Sequence, residues 1–276
     1  VPYELTTSYG HGTIDGPKSC IEASWQVELF DDKLEDEIPA GFKVYTAPFW
    51  ETNNGTLLGQ LDEISKLAKD WHQDKAFPIF IGGEHGILPP IIRGFEGDIT
   101  IIQIDAHADL RDELNGERFS HGTVIRRSLE AGVGNVVQIG VRALSSEEES
   151  MIRQDDRIQT WFAGDLLSVS EHLSNWDKMI ASISEIEGPV WITFDVDGLD
   201  GSLVPSTGTP MPGGLSHWGA VEIIENLFSS EKCTVIGADI NEIVPDTQGS
   251  LTQFSAALVS TKIVACHIAN LINNNA

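Results

Sequence analysis

Short runs rich in Ile, Val and Phe recur along the chain, separated by longer segments in which apolar residues return every three or four positions. The first pattern marks buried strands, the second amphipathic helices. The predicted strands are "FPIFI" (77–81), "ITIIQI" (99–104), "VVQIGV" (136–141), "IQTWF" (158–162), "VWITF" (190–194) and "CTVIGA" (233–238). Leu57, Leu61, Ile64, Leu67, Ala68 and Trp71 form one helical stripe; Leu173, Trp176, Met179, Ile180 and Ile183 form a second; Trp218, Val221, Ile224, Leu227 and Phe228 form a third. "FSAALVSTKIVACHIANLI" (254–272) is apolar enough for a largely buried helix. Uniformly apolar strands alternating with helices predict an α/β fold, a parallel sheet covered on both faces. In such sheets ligands bind beyond the carboxyl ends of the strands, which is where candidate chemistry belongs.

The 276 residues contain no repeats or long linker, and one domain is the expectation. No uninterrupted apolar stretch reaches the length of a membrane span, and "VPYELTTSYG" lacks the basic and apolar regions of a secretion signal. Cys20, Cys233 and Cys266 are odd in number and far apart, which suits reduced buried thiols and a cytoplasmic location. The net charge of −25 repels nucleic-acid phosphates and anionic lipid and favours cationic ligands.

Four predicted strands end in carboxylate or imidazole: Glu84 and His85 in "GGEHG", Asp105, His107 and Asp109 in "DAHAD", Asp195 and Asp197 in "DVDGLD", and Asp239 and Glu242 in "DINE". Asp is common in turns and caps, so one such motif would mean little. In extended chain, residues two apart point to one side, whereas on a helix they diverge by roughly 200°. The spacing therefore predicts that Asp105, His107, Asp109, Asp195 and Asp197 converge in extended backbone. With His85 they make four carboxylates and two imidazoles, a charge that needs cations to be packed. Oxygen donors with limited imidazole and no thiolate suit Mn²⁺ and tolerate Fe²⁺, Co²⁺, Ni²⁺ or Zn²⁺, and six donors suit two ions. "DVDGLDGSLVPS" (195–206) fails the calcium-loop pattern, with Leu199 and Ser206 at ligand positions. No dinucleotide, phosphate-loop or nucleophile-elbow motif appears.

The motifs "GGEHG", "DAHADLRD", "SHGT", "TFDVDGLDGSLVPSTGTPMPGG" and "GADINEI", in this order, resemble the ureohydrolase family of arginases and agmatinases. "PYELTTSYGHGTIDGPKSCIEAS" extends the resemblance to bacterial agmatinases almost to the start of the chain. The resemblance implies a three-layer α/β/α arginase-like fold with a mostly parallel sheet, residues 1–276 as a single ureohydrolase domain, and a homotrimer or homohexamer. It implies two Mn²⁺ ions per subunit, one held by His85, Asp105, Asp109 and Asp195, the other by His107, Asp105, Asp195 and Asp197, with Asp105 and Asp195 bridging. A hydroxide between the ions would attack the guanidinium carbon, its pKa lowered to about 7. Asp109 would take its proton, His121 of "SHGT" would shuttle a proton to the leaving nitrogen, and Glu242 would pair with the guanidinium. His11, His72, His172, His217 and His267 lack such settings and are expected at the surface or in packing roles.

Leu110, Arg111 and Asp112 replace the polar residues with which arginases recognise an amino acid, which makes agmatine, cleaved to putrescine and urea, the leading substrate. Arg111 pointing inward would instead favour a guanidino acid such as 4-guanidinobutyrate; pointing outward, paired with Asp112 or Glu113, it is a solvated charge. Gly86 stands where Ser is usual and Gly201 where Pro is usual, which removes a hydroxyl and loosens a loop. A metal-stabilised oligomer that binds a cation without turnover is the alternative from another class.

Overall fold

A short hairpin joins β1 (Phe30–Asp31) to β2 (Asp36–Glu37), and a separate sheet holds β3 (Ile79–Ile81), β4 (Thr100–Ile104), β5 (Asn135–Val141), β6 (Ile158–Phe162), β7 (Gly188–Asp195) and β8 (Cys233–Asn241). The helices are α1 (Gly16–Ser24), α2 (Leu57–Gln73), α3 (Leu88–Ile92), α4 (Val124–Glu130), α5 (Ser146–Gln154), α6 (Ala163–Leu167), α7 (His172–Ser184), α8 (His217–Ser229) and α9 (Leu251–Asn275). This computed structural model describes residues 1–74, 76–95, 97–168, 172–246 and 248–275.

The large sheet has the order β3-β8-β7-β4-β5-β6, with every neighbouring pair parallel. Its strands coincide with the six apolar runs. Strand alternation divides the core in two. Ile102, Ile104, Ile192 and Phe194 pack with residues of α1, α6, α7, α8 and α9. Ile101, Val136 and Trp191 pack on the other face with residues of α2, α3 and α4. Both faces are therefore dry, and strands in that position read as continuous apolar runs.

The stripes behave as amphipathic faces, with two qualifications. Leu61, Ile64 and Ala68 of α2 are buried, as are Met179 and Ile183 of α7; the side chain of Leu173 lies outside the described residues. Trp218, expected on the buried stripe of α8, is 75% exposed. It occupies the first turn, ahead of the buried positions, which begin at Ala220, and its ring meets His217 edge-on. Helix α9 is long and apolar enough to cross a membrane by length and composition, but 56% of its apolar window is buried inside this fold. It packs on α1 and α8. Cys20, Cys233 and Cys266 are buried and free.

The order of strands creates the crevice. Chain leaving β4 continues outward through β5 and β6, whereas chain leaving β7 continues to β8 on the opposite side. Adjacent strands whose connections depart in opposite directions leave room at their carboxyl ends. Gly198, just past β7, lets those ends touch: a Cβ there would lie 2.7 Å from Asp105 N and 2.8 Å from Ile104 C. Gly198→Ala is expected to destabilise the metal-free protein by about 1–3 kcal/mol, as overpacking against backbone does. An unchanged melting temperature would show that this close approach carries no weight.

Candidate functional site

All six predicted donors meet in the crevice between β4 and β7. His85 Nδ1 lies 3.3 Å from Asp105 Oδ2, 3.2 Å from Asp109 Oδ2 and 3.7 Å from Asp195 Oδ2. His107 Nδ1 lies 3.6 Å from Asp105 Oδ1 and 3.1 Å from Asp197 Oδ2. Asp105 thus presents one oxygen to each imidazole, the position of a bridge between two groups. Asp195 faces the first group through Oδ2, while its Oδ1 accepts a 2.9 Å hydrogen bond from Asp197 N. All of these carboxylates are buried, and His107 is half-buried.

Extended backbone, which the spacing predicted throughout, accounts for Asp195 and for His107, which bridges Ala143 in parallel, but not for Asp109 and Asp197. Asp109 has φ +52°, in the left-handed region that residues with a Cβ seldom enter. Its carbonyl accepts from Ile125 N at the start of α4, and the next amide, Leu110 N, donates to Glu148 Oε1, so two helices hold the kink. Asp197 sits in a 3₁₀ turn, Val196–Gly198, capped by Asp195 itself. A turn on each strand end replaces the straight arm that simple alternation assumes.

Glu242 is the other site residue with a left-handed backbone, at φ +64°. Gly83 O accepts from its amide, and Thr207 Oγ1 donates to its carbonyl. Its Oε1 accepts a 2.7 Å hydrogen bond from His85 N, which ties the "DINE" and "GGEHG" motifs together. His121 lies in a 3₁₀ turn before α4, with Nδ1 3.4 Å from Thr6 Oγ1 and Nε2 3.3 Å from Ser8 Oγ.

Sequence reasoning named Glu84 without giving it work. It is wholly buried, accepts hydrogen bonds from Leu5 N, Thr6 N and Thr6 Oγ1, and lies 3.8 Å from His121 Nδ1. Glu4 binds the next turn by accepting from Gly12 N, Thr13 Oγ1 and Ile14 N. The two carboxylates fold the N-terminal segment over the site, and no local motif announces that.

Arg111 does not pair with Asp112 or Glu113. Its Nε lies 3.7 Å from Glu148 Oε2, and Asp112 instead accepts from Arg127 Nη2 at 2.8 Å. Gly201, expected to loosen its loop, is pinned: its amide donates to Met211 O, and Asp200 accepts from Gly213 N. Gly86 is closely packed, since a Cβ there would meet the Tyr3 ring at 3.0 Å. His11 is exposed beside Glu4, His72 packs on Phe95, and His267 stacks on Phe77 at 3.9 Å. The side chain of His172 lies outside the described residues.

The electrostatics show charge in need of neutralisation. Burial, reinforced by the Asp105 charge, lifts Asp109 to about 6, and burial lifts Glu242 to about 7. Burial together with Asp197 and Asp105 holds Asp195 well above the carboxylate range. Burial works against the histidine charges, yet Asp105 and Asp197 hold His107 up to about 11, and Asp105 and Asp109 raise His85. Burial likewise opposes charging of His121, but Glu84, Glu242 and Asp109 raise its pKa. Protons, in short, fill the place of missing positive charge.

The residues fit divalent metal. His85 Nδ1 is buried without a hydrogen-bond partner although it faces three carboxylates, while His85 Nε2 is 2.7 Å from Thr193 Oγ1. Among the described residues, His85 with Asp105 and Asp109, and Asp105 with His107 and Asp197, each bring their donor atoms within 4.8 Å of one another. The donor set is oxygen and imidazole, suited to Mn²⁺ and its neighbours.

These shifts fix the sign of a pH effect. A group whose pKa is higher folded than unfolded stabilises the fold fully below its unfolded pKa and loses that contribution as pH rises through the folded value. Asp109 goes from 3.8 to about 6, Glu242 from 4.5 to about 7, and His107 from 6.5 to about 11. All three make chelator-treated protein less stable as pH rises from about 5 to about 8. Divalent ions replace the protons, so stabilisation by Mn²⁺ grows across the same window. Melting curves with chelator and with Mn²⁺ measure both; a chelated protein whose melting temperature rises with pH contradicts the assignment.

Comparison with known proteins agrees with this geometry. The sequence model of the arginase family matches residues 1–267. The chain is 34% identical over 273 residues to an N(1)-aminopropylagmatine ureohydrolase of a Synechocystis strain, covering 96% of this chain and 86% of that protein. It is 34% identical over 263 residues to an agmatinase of Pyrococcus horikoshii, covering 93% of this chain and 86% of that one. The crystal structure of agmatine ureohydrolase of Thermoplasma volcanium superimposes with a TM-score of 0.86 at 25% identity, over 99% of this chain and 89% of that one. The chain belongs to the arginase family and is a ureohydrolase, a metal-dependent hydrolase of linear amidine C–N bonds.

Proposed function

We propose that the protein is an agmatinase-type enzyme that hydrolyses a guanidine bearing a cationic amine tail, agmatine first, to urea and the amine. The observation that carries the reading is the sharing of Asp105 between two imidazole-carboxylate groups at the mouth of the sheet. His85, Asp105, Asp109 and Asp195 would hold one ion and His107, Asp105, Asp195 and Asp197 the other, with Mn²⁺ favoured by the donors. Such ions, when bound, supply water ionised near neutral pH and stabilisation of developing negative charge.

The protein's own groups do the rest. Asp109, buried at the crevice with Oδ2 3.2 Å from His85 Nδ1, is placed to hold the proton of the attacking water. Glu242, buried and lifted to about 7, gains its counter-ion when a guanidinium arrives; Oε1 is anchored by His85 N, which aims the carboxylate. His121, fixed between Thr6, Ser8 and Glu84, carries a proton for the leaving nitrogen as its bond to the guanidinium carbon breaks.

Substrate choice rests on charge. The net charge of −25 attracts a dication, and the charge of Arg111 is partly offset by Glu148, 3.7 Å from its Nε. The relative named for N(1)-aminopropylagmatine supports a second reading, in which the amine tail is longer. Coverage of residues 1–267 by the family supports one ureohydrolase domain. Three free buried thiols suit a cytoplasmic enzyme, and exposed Trp25, Phe30 and Trp218 supply apolar surface for a homotrimer or homohexamer.

The test is urea release from agmatine, N(1)-aminopropylagmatine, 4-guanidinobutyrate and arginine, with Mn²⁺ and with chelator. Metal-dependent turnover of the amines, with both acids at least about tenfold poorer, is expected, that factor being about 1.4 kcal/mol in transition-state binding. Arg111→Ala should leave the ratio of agmatine to 4-guanidinobutyrate unchanged. Preference for the acid, lost in Arg111→Ala, would overturn the substrate assignment.

A further inference from the structure

One level below the metal-binding groups, the sheet carries a line of polar residues that its dry environment does not call for. Strand register sets Thr160 of β6, Gln138 of β5, Gln103 of β4, Thr193 of β7 and Asp239 of β8 side by side. Gln103, Gln138, Thr193 and Asp239 are wholly buried. An unpaired polar group there would cost about 1–3 kcal/mol, so the direction of every hydrogen bond is informative.

On one side, Trp191 Nε1 can only donate, and it donates to Asp239 Oδ1. Thr193 Oγ1 donates its single proton to Asp239 Oδ2 at 2.7 Å, which leaves lone pairs toward His85 Nε2, also at 2.7 Å. When a cation replaces the proton on Nδ1, His85 must therefore keep its remaining proton on Nε2 and offer Nδ1 alongside Asp105, Asp109 and Asp195. On the other side, Gln138 Nε2 donates to Ala108 O at 2.7 Å, and a backbone carbonyl only accepts, so the amide orientation is fixed. The same nitrogen donates to Gln103 Oε1 at 2.6 Å, and Thr160 Oγ1 donates to Gln138 Oε1 at 2.8 Å. The Gln103 amide nitrogen is thereby turned to Asp105 Oδ2 at 2.8 Å.

We propose that this transverse row orients the metal donors from both sides: Asp239, through Thr193, selects the His85 tautomer with Nδ1 free, and Gln138, through Gln103, sets the rotamer of the shared Asp105. Asp239, Thr193, Gln138 and Gln103 are positioning residues. The inference rests on the metal reading given under Proposed function. It also explains why four buried polar side chains interrupt otherwise apolar strands at one level. Partners that orient a metal-binding imidazole are known to change metal affinity by 10–100-fold.

The row makes a specific prediction for Asp239→Asn. Because Trp191 Nε1 still demands an oxygen, the new amide nitrogen would face both Thr193 and Asn241, which now donates to the same oxygen; with the Asn241 amide turned so that its unpartnered Oδ1 accepts, the Thr193 proton would turn to His85 Nε2. His85 would be forced to protonate Nδ1, the atom offered to the metal. Thr193→Val removes the hydroxyl without changing side-chain size, and Thr193→Ser retains it. Equilibrium Mn²⁺ titration of each purified variant, with melting curves of the metal-free proteins as a check on folding, reads the effect.

Asp239→Asn and Thr193→Val should each weaken one of the two bound ions by about 10–100-fold, with the other much less affected and Thr193→Ser close to wild type. A merely structural row would lower metal-free stability and leave the affinities of the two ions in their wild-type ratio. Wild-type protein with two ions, and Thr193→Val with the same two affinities, would overturn this inference alone. Wild-type protein that binds no Mn²⁺ would overturn the metal reading and this inference together.

Discussion

Mutual repulsion among four buried carboxylates is the constraint on which the site depends. At an effective dielectric near 20, two unit charges about 4 Å apart repel by about 4 kcal/mol, and Asp105, Asp109, Asp195 and Asp197 all crowd the two imidazoles. The fold accommodates such a cluster only if positive charge is shared among its members. Raised pKa values of Asp109, Asp195 and His107 are the metal-free expression of that demand. Divalent cations answer it and in doing so bring reactivity to the same place.

Topology decides where the charge collects. Strands β4 and β7 are neighbours whose connections run in opposite directions, and Gly198 allows their ends to meet. The loops ahead of α3 and α4 bring His85 and His121, and the end of β8 brings Glu242. Two backbone kinks complete the geometry, at Asp109 and Glu242, both with positive φ and both held by hydrogen bonds from other elements. Strain of about 1–3 kcal/mol at such positions persists only because the surroundings enforce it.

Strands and site residues were legible for different reasons. Six strands could be read because burial on both faces leaves mostly apolar runs, whereas hairpin β1–β2 is too short and polar to show a period. The six donors could be read from charge at strand ends, but the means of convergence could not. Spacing pointed to extended chain, while a left-handed Asp109 and a 3₁₀ turn at Asp197 do the work. Trp218 fits a helical stripe and still lies exposed, because periodicity does not say where a helix leaves the core. Partners set by tertiary contact were invisible: Glu148 for Arg111, Thr6 and Ser8 for His121, and the polar row that depends on strand register.

The central claim is that Asp105 is shared between two cations. Diffraction from crystals grown with Mn²⁺, collected at the manganese absorption edge, tests it most directly. The account predicts two anomalous peaks flanking Asp105, one beside His85 and Asp109 and the other beside His107 and Asp197. No peak in the crevice, or a single ion that leaves Asp105 uncoordinated, would contradict it.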